Sequence, residues 1–482
     1  MTRRVAAVLL SACSIVLAQD RPTTAPAGAG NPTTALMAKV KPSMVVVQYT
    51  FAGEMGSRDL SAMGLVIRED GLVIVPSELT PRQLPDEQMK DFKIIIPGDE
   101  ETEIEAVMLG RDERYNVTFL APKEKPKTPM TPLKFADKPT QPGDTVMSVG
   151  LLPKSSGYGP YVYTSHVAAK LRGPTPLVLV DGAGMTITGS AVFNEAGEAV
   201  GYVNAQNDRV LVIGDRVLPL GDRGWLLDDE RNPNSTVENP TRVFVPASDF
   251  LPTLNEPPTL DKPLKFPFLG VVQLTGLSKD VLEAYGLKGK VAIQVGDVIP
   301  NFSGDKAGLK KGNVIVSLNG RPLERGDLPE EAPIIFTRDV SRIPVGSTVT
   351  LGILTKPGEA PKDVKVTLDE RPAPASKAKR FYAEDLGFTT RDSTFEDTYG
   401  RKLAADAKGV VVSFIRPQSA AQTAQLGNGD FVRQLNQTPV TSVDQFKQQY
   451  EAFRKDKPKE AVVLEVLRGG NTQIIRIEPP RE

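Results

Sequence analysis

The chain has 482 residues, which is too long for one ordinary core, and its length predicts two to four domains. Hydrophobic residues make up 40% and charged residues 24%, and 58 Lys and Arg balance 59 Asp and Glu to a formal net charge of −1. Without a basic surplus there is nothing to attract phosphates, so nucleic acid is excluded as an expected partner. The 41 Gly and 41 Pro favour turn-rich β domains.

Cys13 and His166 are the only cysteine and the only histidine of the chain. An intrachain disulfide is therefore impossible, and zinc or haem sites built on Cys or His are excluded. We expect no metal and no cofactor. Any histidine-based catalysis has to use His166.

The N-terminus predicts export. Residues 1–18 combine a basic start, MTRR, with an apolar stretch that is short for a bilayer, and signal peptidase would cut after Ala18. The alternative is a lipobox at LSAC (residues 10–13), with a lipid anchor on Cys13. Either reading places the protein in the periplasm or cell envelope, or otherwise outside the cell.

The chain then divides into a tether and three folded segments. Residues 19–34 are rich in Pro, Ala, Gly and Thr and predict a flexible tether. Residues 35–255 hold ten or more short apolar runs between turn signals, which indicate an antiparallel sandwich or barrel. Residues 262–372 and 380–482 repeat one order of elements: an apolar strand, a small-residue helix, a strand with an Asn turn, and a terminal hairpin.

The two repeats resemble PDZ domains of bacterial secreted proteases. The second match is the stronger. In such a module an extended ligand adds a strand beside a glycine loop, whose N–H groups hold the terminal carboxylate. Glycine there lets the backbone approach closely, because it has no Cβ atom. The resemblance implies two peptide-binding loops, formed by Phe268, Leu269, Gly270 and Val271 and by Leu386, Gly387, Phe388 and Thr389.

Four stretches of the first half carry a further resemblance: MGLVIREDGLVIVPSELT (63–80), AVMLGRDERYNVTFLAPK (106–123), VDGAGMTITGSAVFNEAGEAVGY (180–202) and RVFVPASDF (242–250), with an insertion around 207–240. They are similar to the HtrA (DegP-type) secreted proteases, whose layout is a trypsin-like domain followed by two PDZ domains. The implied fold is mainly β: a trypsin-like double β-barrel domain followed by two α+β PDZ domains.

The catalytic positions of the family are substituted in this chain. The histidine position falls on Glu78 and the aspartate position on Asn116. The serine position falls on Thr188 when counted back from NEAGEAVG and on Gly189 when counted forward from Asp181, so that Ser190 remains an alternative nucleophile.

These substitutions remove the chemistry of a triad. A hydroxyl is a weak nucleophile unless a neighbouring base that titrates near working pH takes its proton. A glutamate with a pKa near ~4.3 would need strong burial to serve as that base. Loss of a triad's serine or histidine costs about 10⁶ in kcat.

Two further catalytic arrangements are considered. His166 lies within YVYTSHVAA, and its alternation predicts an exposed or satisfied strand residue. A Ser–Lys pair built on Ser190 has no motif that nominates its lysine.

Two hypotheses follow. The first is a binding protein that captures extended peptides or protein C-termini and acts as a scaffold, a chaperone or a regulator of an active protease. The second is a serine-type endopeptidase with a degenerate site that uses Ser190 or Thr188. The resemblance leaves a homotrimer or association with an active protease open as assemblies.

Overall fold

The computed structural model describes residues 31–81, 84–98, 100–171, 176–182, 184–203, 210–213, 216–219, 242–325, 331–404 and 407–480. The predicted signal peptide, the lipobox cysteine and most of the predicted tether and insertion lie outside these residues. The expectation of a mainly β protein with a trypsin-like double barrel is confirmed.

Six antiparallel strands close into a first barrel in the order β1-β2-β3-β6-β5-β4. Gly71, at φ +88°, makes the turn between β2 and β3, a backbone conformation that glycine adopts without strain. The strands are β1 (Met44–Gly53), β2 (Gly56–Val66), β3 (Val73–Pro76), β4 (Met89–Ile96), β5 (Thr102–Asp112) and β6 (Val117–Pro122).

A second antiparallel barrel closes in the order β10-β11-β14-β9-β8-β7, and β12 and β13 pair as a separate hairpin. The short strands β9 and β10 flank the loop that carries the candidate hydroxyls. The strands are β7 (Thr145–Leu151), β8 (Pro160–Leu171), β9 (Leu177–Val180), β10 (Ala191–Asn194), β11 (Ala199–Val203), β12 (Val210–Ile213), β13 (Arg216–Pro219) and β14 (Val243–Pro246).

Two helices join the barrels to a shared apolar core. Helix α1 (Pro32–Val40) begins inside the segment interpreted as a tether, because the Asn31 side chain accepts a hydrogen bond from the Thr33 N–H and Pro32 suits the first helical turn. Helix α2 (Ala247–Asn255) follows β14. One buried cluster takes residues from both helices and both barrels, which fixes the barrels against each other.

The two repeats share one order of elements. The first contains β15 (Pro267–Phe268), β16 (Val271–Val272), β17 (Thr275–Gly276), α3 (Lys279–Ala284), β18 (Ile293–Gln294), β19 (Asp297–Val298), α4 (Ser303–Lys306), β20 (Val314–Leu318), β21 (Arg321–Pro322), α5 (Glu331–Ser341), β22 (Thr348–Leu354), β23 (Lys362–Thr367) and β24 (Asp369–Glu370). The second contains β25 (Arg380–Ala383), β26 (Phe388–Asp392), α6 (Phe395–Gly400), β27 (Val410–Ile415), α7 (Ala420–Thr423), β28 (Phe431–Leu435), β29 (Thr438–Pro439), α8 (Val443–Asp456), β30 (Val462–Arg468) and β31 (Asn471–Ile477).

Each repeat is a small sheet with a helix packed on it. In the first repeat β16 and β17 correspond to β26 of the second, and α5 corresponds to α8. Short 3-10 turns connect elements elsewhere in the chain, at Lys41–Ser43, Asp86–Gln88, Lys154–Ser156 and Ala375–Lys377. Within the described residues no helix is long and apolar enough to cross a membrane.

Candidate functional site

Glu78 lies in a tight turn directly after β3. The turn is closed by hydrogen bonds from the Leu79 N–H to the Pro76 carbonyl and from the Thr80 N–H to the Ser77 carbonyl, each 3.0 Å long. The Ser77 N–H donates to the carbonyl of Asn116, also at 3.0 Å. This last bond ties the Glu78 turn to the chain that enters β6.

Asn116 has φ +57°, a left-handed conformation that Asn tolerates better than most residues. Its side-chain amide donates a hydrogen bond to Oε1 of Glu78. The two residues predicted to occupy the histidine and aspartate positions therefore lie in direct contact. Their chemistry is a carboxyl group beside an amide, without an imidazole.

The surroundings of Glu78 favour its neutral form. Burial raises the pKa of Glu78 to about 8, although hydrogen bonds from its own backbone N–H and from Asn116 act in the opposite direction. Its second oxygen, Oε2, is buried and accepts no hydrogen bond from the described residues. Complete burial and the nearby Glu78 charge raise the pKa of Tyr202 well above its ordinary value.

The loop that carries the hydroxyls packs against the Glu78 side of the first barrel. Gly189 has φ +98°, and a Cβ atom there would lie 2.8 Å from the Met63 carbonyl oxygen and 3.0 Å from Cδ of Pro76. Pro76 is two residues from Glu78. Only glycine fits this approach, so residue 189 cannot supply a hydroxyl.

The remaining hydroxyls of the loop are inside the protein. Thr186 is 1% exposed, and Thr188 and Ser190 are completely buried. The oxygens of Thr186 and Thr188 have no hydrogen-bond partner among the described residues, and Ser190 Oγ contacts only the Met63 sulfur, at 3.5 Å. A thioether is a weak acceptor and does not act as a base. Within the described chain, no base is hydrogen-bonded to either candidate nucleophile.

Within the described chain, four of the five backbone N–H groups of the same loop, all but that of Thr188, donate to acceptors inside the protein. The Thr186 N–H donates to Ser148 Oγ at 2.8 Å and the Ile187 N–H to the Tyr161 hydroxyl at 3.0 Å. The Gly189 N–H donates to the Val203 carbonyl at 2.9 Å, and the Ser190 N–H to the Ile187 carbonyl at 3.2 Å. An oxyanion hole needs two amides aimed at one empty point. This loop does not offer such a pair.

His166 lies on β8, as its alternation predicts, and its side chain is 57% exposed. Its Nδ1 atom is 3.4 Å from a carboxylate oxygen of Asp181. The described structure contains no hydrogen bond between His166 and the 186–190 loop. The imidazole is therefore a surface group of the second barrel.

The first glycine loop is tightly built. Gly270 has φ +69°, and a Cβ atom there would lie 2.4 Å from Cβ of Phe302. The carbonyls of Leu269 and Gly270 accept from the N–H groups of Gly304 and Ile299. Their own N–H groups donate to no acceptor in the described part of the chain.

The strand after this loop has an open edge. Residues 271–276 pair through β16 and β17 with β19 and β18. On the other edge the described residues provide no partner strand, and α5 packs nearby against β15 and β17. The loop, the free strand edge and the helix together frame a groove.

The second glycine loop is built in the same way but is used differently. Gly387 has φ +75°, and a Cβ atom there would lie 2.5 Å from Cβ of Ser419. Its N–H donates to the Ala383 carbonyl at 2.8 Å. Thr389 Oγ1 donates to Oε1 of Glu54, in the first barrel, at 3.0 Å.

Sequence reasoning did not single out several of these residues. Tyr202 and Met63 lie on ordinary buried strands, and the sequence carries no signal that they meet Glu78 and Ser190. The segment before the second glycine loop has a weak signal, since Phe381 and Ala383 alternate with polar neighbours in RFYAED.

Comparison with known proteins agrees with this architecture. A family model described as PDZ domain matches residues 385–478. The chain is 27% identical over 428 residues to a protein named "Probable periplasmic serine endoprotease DegP-like" from Ectopseudomonas mendocina, covering 86% of this chain and 78% of that protein. A protein of the same name from Rhizobium meliloti is 26% identical over 421 residues, with 83% and 71% covered. The chain is thus similar over most of its length to DegP-like serine endoproteases and contains a PDZ domain.

Solved structures of the HtrA-type protease AlgW are also similar. The complex with a tripeptide matches at 17% identity with a TM-score of 0.49, over 71% of this chain and 98% of that one. The complex with a decapeptide matches at 16% identity with a TM-score of 0.48, over 71% and 99%.

Glu78 predicts a distinctive pH dependence of stability. Its ordinary pKa of 4.5 is raised to about 8 in the folded chain, so its stabilising contribution is complete below pH 4.5 and is lost as pH rises through 8. Glu78→Gln keeps the oxygen that accepts from Asn116 but cannot ionise. We expect this variant to exceed the parent in free energy of unfolding by roughly 1–3 kcal/mol at about pH 8.5, and to match it near pH ~5.

Urea titrations followed by circular dichroism measure this difference. Glu69→Gln, on an exposed turn, is the matched control and should follow the parent at both pH values. A Glu78→Gln variant whose stability relative to the parent does not change with pH would contradict the buried, neutral carboxyl.

Proposed function

We propose that this chain is an exported HtrA/DegP relative without proteolytic activity, which binds extended peptides or protein C-termini and serves as a scaffold, a chaperone or a regulator of a protease. One observation carries the proposal: four of the five backbone N–H groups of the 186–190 loop donate to acceptors inside the protein, and its hydroxyls are buried without a hydrogen-bonded base in the described chain. The barrel domain then acts as a rigid body on which the PDZ grooves are mounted.

Two contributions to catalysis are absent: the side chain that acts as base and the backbone donors that stabilise the oxyanion. A positioned base contributes about 10²–10⁴ to a hydrolytic rate, and one oxyanion donor about 10²–10³. Here the position of the base holds Glu78, and the loop amides are bonded to Ser148, Tyr161 and backbone carbonyls. Both contributions are missing together.

The binding function rests on the first glycine loop. We propose that residues 262–372 form a PDZ domain whose groove is open. Two neighbouring N–H groups without an acceptor, on Leu269 and Gly270, suit a terminal carboxylate, because each oxygen can accept from a backbone donor. The free edge of residues 271–276 can pair with the backbone of the bound chain.

Export is part of the proposal. It is supported by the basic and apolar N-terminal stretch, and by relatives whose names describe them as periplasmic. Cleavage after Ala18 and lipidation of Cys13 are the two forms in which the chain could leave the cytoplasm.

A degenerate serine-type endopeptidase is the second candidate. It is favoured by one observation: a group with a pKa of about 8 could exchange protons at neutral pH, and Glu78 is such a group. It would use Thr188 or Ser190 as nucleophile, after a rearrangement that exposes the loop.

A fluorophosphonate probe separates the two candidates. Because both hydroxyls are buried and lack a base, we expect no mass increase of the intact protein after a day with the probe. Labelling that disappears in Ser190→Ala or Thr188→Ala would establish the endopeptidase instead. A surface variant such as Ser155→Ala, in the 3-10 turn after β7, controls for unspecific labelling.

Peptide capture by the first groove is tested with Gly270→Ala. The new Cβ atom would meet Phe302 and force the loop out of its left-handed conformation. We expect the affinity for a fluorescent decapeptide with an apolar C-terminal residue to fall by at least ~10-fold, which is about 1.4 kcal/mol. Fluorescence anisotropy measures this affinity.

The matched control is Gly308→Ala in the same repeat. Gly308 also has a positive φ, +80°, but a Cβ atom there meets nothing within 4 Å. It carries the same conformational strain without the clash, and should bind the decapeptide like the parent. Equal binding by parent and Gly270→Ala, or equal binding of a C-terminally amidated decapeptide, would contradict the role of the loop.

A further inference from the structure

The strand before the glycine loop pairs differently in the two repeats. In the first repeat β15 pairs with β24, far along the chain, and leaves the edge of residues 271–276 free. In the second repeat β25 folds back and pairs with β26, on the edge opposite β27. The same edge is therefore open in one repeat and occupied in the other.

The direction of β25 is that of a bound C-terminal peptide. It is antiparallel to β26, with Arg380 opposite Arg391 and Ala383 opposite Phe388. Since β26 starts at the glycine loop, the carboxyl end of β25 lies at that loop. There the Ala383 carbonyl accepts from the Gly387 N–H, and so holds a donor expected to receive a ligand carboxylate.

The side chains of β25 complete the occupation of the groove. The Phe381 ring packs against two rings of α8, with centroid distances of 5.6 Å to Tyr450 and 6.1 Å to Phe446. The hydroxyl of Tyr382 accepts from Nη1 of Arg416 at 3.2 Å. An apolar side chain between β26 and α8 is the contact that a PDZ ligand makes.

Polar contacts pin both ends of this segment to α8. Lys379 Nζ is 2.6 Å from a carboxylate oxygen of Asp444. At the other end, Asp385 accepts from the Tyr450 hydroxyl and pairs with Nε of Arg454 at 2.9 Å.

These contacts hold the segment in the groove only moderately strongly. Both side chains of the Lys379–Asp444 pair are about two-thirds exposed, at 67% and 69%, and exposed ion pairs contribute little. Four residues of edge strand add few backbone hydrogen bonds. Release of the segment would therefore cost mainly the burial of Ala383 and of the Phe381 ring.

We propose that residues 379–385, which we name the strap, are a built-in substitute ligand that closes the groove of the second PDZ domain and competes with incoming C-terminal peptides. The strap is part of the same chain and therefore binds at a high effective concentration. A peptide can bind only the fraction of molecules whose groove is open. The proposal rests on the proposed function for its ligand class.

Two contacts beside the strap join the second repeat to the first barrel. Lys377, two residues before the strap, pairs with Asp86, and Thr389 on β26 bonds to Glu54.

The experiment uses the full chain with Gly270→Ala, so that peptide binding by the first groove is weakened. Two variants loosen the strap: Phe381→Ala removes the ring from the groove, and Asp385→Asn removes the ion pair with Arg454 but keeps an oxygen that can accept from the Tyr450 hydroxyl. Lys447→Ala is the control, because it removes a lysine of α8 that pairs with Glu451 and not with the strap.

Hydrogen exchange, detected by mass spectrometry, is measured first because it needs no peptide. We expect the amides of residues 380–391 to exchange at least ~10-fold faster in both loosened variants than in the control, with β30 and β31 unchanged. Equal exchange in all chains, or fast exchange of the strap in the parent, would overturn a closed groove.

Binding is read second, by anisotropy with the same fluorescent decapeptide. We expect the loosened variants to gain at least ~10-fold in affinity over the control, and an amidated decapeptide to gain nothing. Faster exchange without a gain in affinity would overturn the role of the strap as a substitute ligand. If the chain with an intact Gly270 binds no decapeptide either, the proposed function fails, and the exchange result alone decides whether the strap is closed.

Discussion

The loop at residues 186–190 is held by hydrogen bonds that begin on its own backbone. Thr186 and Ile187 donate to side chains of neighbouring strands, and Gly189 and Ser190 donate to carbonyls. Because these four donors face acceptors within the protein, the loop does not offer the pair of amides that an oxyanion hole needs. The barrels keep the trypsin-like architecture, and in the proposed function the loop between β9 and β10 serves as packing.

The hydrogen bonding of backbone N–H groups also distinguishes the two glycine loops. Each repeat places a glycine in a left-handed conformation against a neighbouring side chain, Phe302 or Ser419. The N–H of Gly270 has no acceptor in the described chain, while that of Gly387 is satisfied by Ala383. In the proposed function, the free donor of Gly270 recruits a ligand carboxylate, while the satisfied donor of Gly387 closes the loop on its own chain.

Local patterns of the sequence predicted most of the fold. Apolar runs bounded by turn residues predicted an antiparallel sandwich or barrel, the resemblance to HtrA proteases predicted the double barrel, and the repeated order of elements predicted the two C-terminal units. The matched family model lies inside the second of these. The start of α1 differs from the expectation, because the Asn31 cap and Pro32 at the first turn act more strongly than the flexible composition around them.

The candidate site could be predicted only in part. The positions of Glu78 and Asn116 followed from the resemblance, and the structure brings them into contact. The raised pKa of Glu78 depends on burial by residues distant in sequence, and the pairing of β25 depends on which of two edges it meets. Burial and strand pairing of this kind depend on residues far apart in the sequence, so a short motif does not predict them.

The most direct measurement of the central claim is casein hydrolysis by a chain in which Glu78→His, Asn116→Asp and Thr188→Ser are combined. If the bonded backbone of the 186–190 loop is what prevents catalysis, this chain should hydrolyse casein no faster than the parent. Turnover that appears in the combined variant, and is lost when residue 188 carries alanine instead, would contradict the account.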